Sequence, residues 1–298
     1  MAQQRLLLVD SNNVGWRAFH AGGGLSLSSR GIPTAMSALF LNQLHAALVF
    51  ARPSSVMLAW DGGSPKFRLQ LLPTYKQRGP MDAKTLEARE QFHQQRNWLL
   101  ELLPKLGCHW ALRRDWEADD LIALAAQLRQ ESMLVTIFSG DRDLWQLVNE
   151  RVAILLPGRK LTDTYDTLTH ENFTAKTGVR SPAQWLMLRA LTGDSSDRIP
   201  GICRVGEKTA AKMLAQELPL GTLTNEKMDI YDRNLQLMNL RHSAALLQRE
   251  LQERPQDGQY GVASARDLPG AREYLNQYEF HRMTAGWARW SAPFAELD

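Results

Sequence analysis

Five short apolar runs alternate with longer segments of helical periodicity in the first 157 residues, and this alternation restricts the possible folds most. Apolar side chains recur at helical spacing over 35–51, 86–103 and 121–128. Strands that alternate with helices predict an α/β fold, in which a mostly parallel central sheet is flanked by helices. The strand-length runs cover 6–9, 56–60, 109–112, 135–138 and 152–156.

The character of the chain changes after about residue 157. Residues 163–169 fit either a polar hairpin or an edge strand, and from residue 182 onward helical segments are joined by turns that contain Gly and Pro. We therefore predict two domains, an α/β core over 1–180 and a helical region over 181–298.

Composition favours a globular protein of the cytoplasm. Apolar residues make up 44% of the 298 residues, and no apolar stretch approaches the ~20 residues of a membrane span. The run 6–9 ends at Asp10 and does not resemble a signal peptide. Two distant cysteines and seven histidines without metal-ligand spacing argue against a disulfide framework and a zinc site. A net charge of +3 is compatible with a nucleic-acid partner but does not indicate one.

Acidic residues follow the strand-length runs where each run ends. Asp10 and Asp61 close two of them, a third leads into Asp141 and Asp143, and a fourth leads into the acidic stretch 115–120. Because the carboxyl ends of parallel strands meet at one edge of a sheet, we expect these acids to lie close together. Clustered carboxylates repel one another and need cations, and an all-oxygen ligand set favours Mg²⁺ or Mn²⁺.

A single aspartate at a strand end is commonly only a turn former, and acids in the first turn of a helix complement its dipole. The metal hypothesis therefore rests on the positions taken together. Asp115 is the exception, since we interpret it as the N-cap of the next helix rather than as a ligand.

A second acidic pair precedes a glycine-rich turn. A helix ends near Gly193, Asp194 and Asp197 follow in a turn, and the segment 200–206 leads into a new helix at Glu207. Glycines allow close backbone approach, and a helix N-terminus offers amides to a phosphate. The segment 185–214 therefore predicts a helix-hairpin-helix (helix-three-turn-helix) element, which binds the nucleic-acid backbone without reading bases.

Together these motifs resemble the flap endonucleases and phage 5′–3′ exonucleases. The resemblance covers roughly residues 5–215 and looks closest to the stand-alone phage enzymes. It rests on motifs that occur in the order of the family: Asp10-Ser-Asn-Asn, Trp60-Asp61, Glu117-Ala-Asp-Asp120, Ser139-Gly-Asp-Arg-Asp143 and Gly193-Asp-Ser-Ser-Asp197.

The resemblance implies two Mg²⁺ ions, with Mn²⁺ able to replace them, held by nine acids. One group near the attacking water comprises Asp10, Asp61, Glu117, Asp119 and Asp141, and a second group comprises Asp120, Asp143, Asp194 and Asp197. A monovalent ion such as K⁺ at the hairpin is left open, because Cys203-Arg204 replaces the acidic or small residues usual there.

The resemblance also implies cations around the scissile phosphate. Lys76 is the candidate for direct contact, with Arg17 and Arg78 in support. Tyr75 either stacks on a base or packs in the core, and Arg68 either contacts phosphate or forms a salt bridge. The complete set of predicted DNA-binding residues is Tyr75, Arg68, Gly201, Arg204, Gly206, Lys208 and Thr209.

Residues 78–107 would form a helical arch whose basic side chains guide a single-stranded 5′ end. The expected partner is DNA with a 5′ flap, a 5′ end or a junction, cut by a monomeric enzyme, with cleavage of RNA strands left open. Two alternatives remain. One is a structure-specific DNA-binding protein without catalysis. The other is a phosphatase with Asp10 as nucleophile, which Asn12 disfavours because such enzymes need a second aspartate at that position.

Overall fold

The computed structural model describes residues 3–22, 28–29, 31–77, 79–158, 165–215, 223–262 and 265–298. Its strands are β1 (Arg5–Asp10), β2 (Ser28–Ser29), β3 (Ile32–Pro33), β4 (Ser55–Trp60), β5 (His109–Arg113), β6 (Leu134–Phe138), β7 (Val152–Leu156), β8 (Asp166–Leu168), β9 (Gly193–Asp194), β10 (Ile199–Pro200) and β11 (Gly258–Gly261).

The helices are α1 (Ser11–Gly22), α2 (Ala35–Ala51), α3 (Lys66–Leu71), α4 (Ala83–Lys105), α5 (Ala118–Arg129), α6 (Phe173–Thr177), α7 (Pro182–Thr192), α8 (Glu207–Ala215), α9 (Asn225–Met238), α10 (Leu240–Glu253), α11 (Leu268–Gln277), α12 (His281–Ala285) and α13 (Trp287–Ala295). Short 3₁₀ turns cover Asp143–Leu147 and Pro255–Asp257.

One seven-stranded sheet forms the centre of the molecule, in the order β11-β5-β4-β1-β6-β7-β8. The five strands β5, β4, β1, β6 and β7 pair in parallel, and β11 and β8 are antiparallel edge strands. Each of these five strands lies on one of the apolar runs, so the predicted fold class is confirmed. Of the two interpretations of residues 163–169, the edge strand is confirmed by β8, although 163 and 164 lie outside the described residues.

Helices cover both faces of this sheet, and β1 shows why. Leu8 packs toward α5, α7 and α10, whereas Leu7 and Val9 pack toward α1, α2 and α4. All three side chains are fully buried. Successive side chains of a strand point to opposite faces, so an uninterrupted apolar run requires a helical layer on each side.

The C-terminal segment returns to the sheet instead of continuing the helical region. β11 pairs with β5, with Gly258 opposite Arg113. Beyond it, Ala271, Leu275 and Phe294 are fully buried against the α2 and α4 layer. A strand here was not expected in the predicted helical region 181–298, because its sequence Gly-Gln-Tyr-Gly lacks apolar alternation. The division of the chain into two domains stays a prediction.

Helix α4 lies where the arch was expected, and it is one continuous helix of 23 residues. Asp82 caps it by accepting a hydrogen bond from the Thr85 amide at 2.7 Å. Its first two turns are mostly exposed, and from Phe92 onward one face is buried in the core. In the parts of the chain that the structure describes, no helix combines the length and apolar character needed to cross a membrane.

Candidate active site

The acids of the first predicted group meet at the carboxyl edge of the sheet. Asp10 is the last residue of β1, Asp61 follows β4, and Asp141 lies three residues after β6. Because β5, β4, β1 and β6 are neighbours in the sheet, their ends open into one cleft. This cleft has a volume of about 430 Å³ and is lined by Asp10, Asp61, Glu117, Asp119 and Asp141, together with Asn12, Asn13, Trp16, Arg17 and Lys76.

Hydrogen bonds from the same loops fix Asp10 and Asp141. The Asn13 amide donates to Asp10 Oδ1 at 3.0 Å, and the Ser139 hydroxyl donates to Asp10 Oδ2 at 2.7 Å. The Ser139 hydroxyl in turn accepts from the Asp141 amide at 2.9 Å. Ser139 therefore joins the ends of two neighbouring strands through one side chain.

Asp61 is held by Asn12 and by the first turn of α5. The Asn12 side-chain amide donates to Asp61 Oδ2, and its Oδ1 accepts from the Asp61 amide at 3.3 Å. The Ala118 amide donates to Asp61 Oδ1 at 2.8 Å. Sequence reasoning assigned no role to Asn12, Asn13 or Ser139, although each stands within three residues of an acid in the quoted motifs.

Four of these carboxylates have raised pKa values. Burial raises the pKa of Asp10 to about 7, against hydrogen bonds from Ser139 and Asn13, and the charges of Asp141 and Asp61 add to the shift. Burial, followed by the charge of Asp143, raises the pKa of Asp141 to about 6. The pKa values of Asp61 and Asp119 are also raised, mainly by burial. No Arg or Lys of the described residues forms an ion pair with any of the four.

The remaining five acids have cationic partners within the chain. Lys76, Arg68 and Arg189 pair with Glu117, Asp120, Asp143, Asp194 and Asp197. Over the described ranges, no three His, Cys, Asp or Glu side chains form a ready-made ligand set. The donor chemistry nevertheless fits hard divalent ions, because four mutually repelling carboxylates face one cleft and all available donors are oxygens.

Arg68 anchors the start of α5 from inside the protein. Its side chain is 2% exposed, and its guanidinium donates to both Asp120 oxygens at 2.8 and 2.7 Å, to Glu117 Oε2 at 3.1 Å and to the Leu237 carbonyl at 2.9 Å. Asp120 also accepts from the Glu117 amide, so Glu117 and Asp120 form a capping box. The structure thus supports the salt-bridge interpretation of Arg68 over phosphate contact.

The Tyr75 side chain packs inside the protein and is not exposed for stacking on a base. It is 4% exposed, and its hydroxyl donates to Glu117 Oε2 at 2.9 Å. Asp115, interpreted from the sequence as an N-cap, does not cap α5: the N-cap is Glu117. Asp115 instead occupies a turn with φ of 61° and pairs with Lys66 at 3.6 Å.

Lys76 links the two groups of acids. Its Nζ lies 3.0 Å from Glu117 Oε1 and 3.5 Å from Asp197 Oδ2, and its amide donates to the Asp197 carbonyl at 2.9 Å. With 31% of its side chain exposed, Lys76 also lines the acid cleft. Arg17 lines this cleft as well and donates to the Gly158 carbonyl. Arg78, the third predicted cation, lies outside the described residues.

The second acid group is organised by Arg189, which was not among the predicted site residues. Arg189 Nε donates to Asp143 Oδ1 at 2.8 Å, and a terminal nitrogen donates to Asp194 Oδ2. Burial raises the pKa of Asp197 to about 6, against the charge of Lys76. An arginine in a helix four residues before the Gly193-Asp194 pair was the available signal, but its partners are distant in sequence.

The predicted hairpin contains both packed and exposed members. A Cβ on Gly201 would lie 2.1 Å from the Thr192 carbonyl oxygen, so Gly201 is required for a close backbone crossing. Arg204, Gly206, Lys208 and Thr209 are exposed at the start of α8. No atom lies within 4 Å of a Cβ built on Gly206, which leaves its backbone open to a ligand.

A family model for the N-terminal resolvase-like domain of 5′-3′ exonuclease matches residues 5–178, and one for the C-terminal SAM fold of the same family matches residues 180–262. The thermostable DNA polymerase I of Thermus filiformis is 35% identical over 287 residues, which are 93% of this chain and 32% of the polymerase. The chain thus spans about a third of the length of such curated relatives.

Two solved structures share the fold. A bacteriophage T5 flap endonuclease, solved in a complex with DNA and metal ions, has a TM-score of 0.67 and 20% identity, covering 92% of this chain and 99% of that chain. Flap endonuclease-1 from Methanococcus jannaschii has a TM-score of 0.61 and 13% identity, covering 98% and 93%.

Proposed function

The chain belongs to the 5′-3′ exonuclease family, and from this premise we propose that it is a divalent-metal-dependent, structure-specific 5′-nuclease. It hydrolyses phosphodiester bonds of DNA at 5′ flaps and 5′ ends. The observation that carries the proposal is the cleft at the carboxyl edge of the sheet, in which Asp10, Asp61, Asp119 and Asp141 meet beside Lys76. The names of the T5 and Methanococcus enzymes support the flap as substrate.

Two divalent ions, Mg²⁺ with Mn²⁺ as a substitute, are proposed for the nine acids. Asp10, Asp61, Asp119 and Asp141, with Glu117 at their edge, would hold one ion, while Asp143, Asp194 and Asp197 would hold the other. Bound ions supply an activated water and neutralise charge on the phosphate and the leaving oxygen. Asp120 contributes indirectly, because its oxygens bind Arg68.

The chain's own residues position the substrate strand. Lys76, which lines the acid cleft, would contact the scissile phosphate, and Arg17 in the same cleft would support it. Arg78 is proposed as a further support from the sequence alone. A larger cleft of about 1100 Å³ leads away from this edge between α4 and the loop after Asp194. Asp61, Glu117 and Asp197 are among its lining residues, and the basic side chains along its wall suit a single strand. Its lining includes Trp16, Lys76, Gln77, Arg89, His93, Arg96 and Arg198.

The hairpin would bind the duplex backbone next to this strand. Arg204, Lys208 and Thr209 are exposed around the first turn of α8, where helix amides favour an anion. Such contacts do not read the base sequence, so selectivity comes from the shape of the nucleic acid and its free 5′ end. The proposed enzyme acts as a monomer in the cytoplasm. The proposal leaves open whether the hairpin binds K⁺, which a binding measurement would decide.

A DNA duplex with a 5′ flap, labelled at its 5′ end, tests the proposal. The assay compares wild type, Asp141→Ala and the control Asp229→Ala, each with Mg²⁺ or with excess chelator. The control changes an exposed aspartate of α9. We expect wild type and Asp229→Ala to release a short 5′ fragment only with Mg²⁺. Asp141→Ala should lose at least about 100-fold in rate, the scale on which electrostatic groups act in catalysis.

A non-catalytic DNA-binding protein remains the second candidate, supported by the exposed cations of the hairpin. It makes the opposite prediction in the same assay. Tight flap binding that survives chelation, without cleavage in either Mg²⁺ or Mn²⁺, would establish it and remove the nuclease proposal.

A further inference from the structure

Arg189 lies in the last turn of α7, between two acids of the second group. Its side chain is 12% exposed. Nε donates to Asp143 Oδ1 at 2.8 Å, and a terminal nitrogen of the guanidinium donates to Asp194 Oδ2. Charge-assisted hydrogen bonds of this kind, out of bulk water, are among the stronger polar contacts in proteins.

The two acids come from different parts of the chain, and α7 brings them together. Asp143 begins the 3₁₀ turn after β6, whereas Asp194 follows the C-terminus of α7. One turn before Arg189, the Trp185 indole donates to the Arg142 carbonyl at 2.8 Å. The helix is therefore attached to the 142–143 segment twice, through the indole hydrogen bond of Trp185 and through the charged hydrogen bond of Arg189.

The charge of Arg189 compensates those of its partners. Burial alone would raise the pKa of Asp194, but the hydrogen bond from Ser196 and the charge of Arg189 outweigh it, so that the pKa lies below its usual value. Arg189 also acts against the raised pKa of Asp141. Asp141, Asp143, Asp194 and Asp197 are thus ionisable neighbours with a cation among them.

We propose that Arg189 is the built-in counter-charge of the second acid group. It holds Asp143 and Asp194 together before a divalent ion arrives, and it competes with that ion for their oxygens. The inference rests on the proposed metal site. An ion that enters this group must share or replace two hydrogen bonds and lie close to a guanidinium, and both effects reduce its affinity.

The first acid group should consequently bind a divalent ion more tightly than the second group does. Four of the five carboxylates of the first group form no ion pair with a described Arg or Lys, so an ion held by these four displaces no cation from them. In the second group, Arg189 already binds Asp143 and Asp194, and Lys76 pairs with Asp197. Wild type is therefore expected to bind Mn²⁺ in a tighter and a weaker class, and Arg189 sets the affinity of the weaker class.

Mn²⁺ binding to metal-free protein tests this directly, measured as loss of the free-Mn²⁺ EPR signal during titration. Arg189→Gln should lower the half-saturation concentration of the weaker class on the order of tenfold, because the competing charge is gone. Arg189→Lys keeps the positive charge but replaces the planar guanidinium with an ammonium group that cannot make both hydrogen bonds in the same geometry. It should lower the half-saturation concentration of the weaker class by a smaller factor than Arg189→Gln does. Arg282→Gln, which removes an exposed arginine of α12 away from both acid groups, should leave it unchanged.

Melting temperatures give a second measurement that needs no catalysis. Metal-free Arg189→Gln should melt below wild type, since Asp143 and Asp194 then repel each other, and Mn²⁺ should raise its melting temperature by more than it raises that of wild type. If Arg189→Gln does not fold without metal, the same comparisons are made with Arg189→Lys.

An unchanged or higher half-saturation concentration of the weaker class would overturn the inference. If wild type cleaves the flap but the Arg189 variants bind Mn²⁺ as wild type does, only this inference fails. If wild type binds no Mn²⁺ at all, the proposed metal-dependent function fails with it.

Discussion

At the scale of single residues, the acid edge separates into carboxylates with an ionic partner in the chain and carboxylates without one. Glu117 and Asp120 belong to the first kind, because Arg68 and Lys76 bind them. Asp10 belongs to the second, since the donors that reach it from the described residues, Asn13 and Ser139, are uncharged. Burial, with a smaller contribution from the charges of neighbouring carboxylates, raises the pKa of Asp10, and this makes the free energy of unfolding depend on pH.

The metal-free protein should therefore lose stability as pH rises from about 4 to about 7. Folding raises the pKa of Asp10 from 3.8 to about 7. The folded state thus binds more protons than the unfolded state in this window, and stability falls as those protons leave. Melting curves between pH 5 and pH 7.5 measure the slope, which should be weaker in Asp10→Asn and in wild type with Mg²⁺. Identical slopes for wild type and Asp10→Asn would contradict the assignment.

At the scale of elements, the hairpin depends on a backbone crossing between the end of α7 and the strand β10. Gly193 has φ of 70°, a conformation that side chains disfavour, and a Cβ on it would lie 2.3 Å from the Gly201 amide nitrogen. The Asn234 side chain closes the crossing by donating to the Ala190 and Pro200 carbonyls at 2.9 and 2.8 Å. The crossing therefore positions Asp194 as well as the turn that is proposed to bind DNA.

Two glycine substitutions in this element should behave differently. Gly201→Ala places a Cβ against the Thr192 carbonyl and should cost at least about 2 kcal/mol in the free energy of unfolding. Gly206→Ala meets no atom within 4 Å, so it should stay within about 0.5 kcal/mol of wild type. We expect it to weaken flap binding, because the methyl group obstructs backbone approach to a phosphate. Urea denaturation and fluorescence anisotropy separate the effects, and equal destabilisation would refute the crossing as their cause.

At the scale of the whole molecule, the C-terminal segment packs onto the α/β core. β11 adds a strand beside β5, and α11 and α13 pack against the layer of α2 and α4. Phe294 is fully buried there, next to Trp290 and His45. The α/β core is consequently incomplete without β11, α11 and α13.

Phe294→Ala should therefore destabilise the core by about 3–5 kcal/mol, the usual cost of removing a buried aromatic ring. Val262→Ala is the control, because Val262 is 65% exposed and should change stability by less than about 0.5 kcal/mol. Circular dichroism during urea denaturation measures both. A single transition, shifted as a whole in Phe294→Ala, is expected. A separate early transition in that variant would instead indicate that the C-terminal segment folds independently.

The sequence by itself determined the five parallel strands, the α/β class and the gathering of acids at the carboxyl edge. These follow from local patterns, since an apolar run of strand length and the acid after it are adjacent in the chain. The rule for parallel sheets then places Asp10, Asp61 and Asp141 together without knowledge of any contact. The order of motifs identified the family for the same reason.

Only the tertiary structure decided which cation neutralises which acid and what the C-terminal segment covers. Arg68 reaches Asp120 across 52 positions, and Arg189 reaches Asp143 across 46. Arg113 pairs with a strand that begins at Gly258. Such pairings depend on how helices and strands pack in space, and a lone arginine or a strand with two glycines has no local pattern that names its partner.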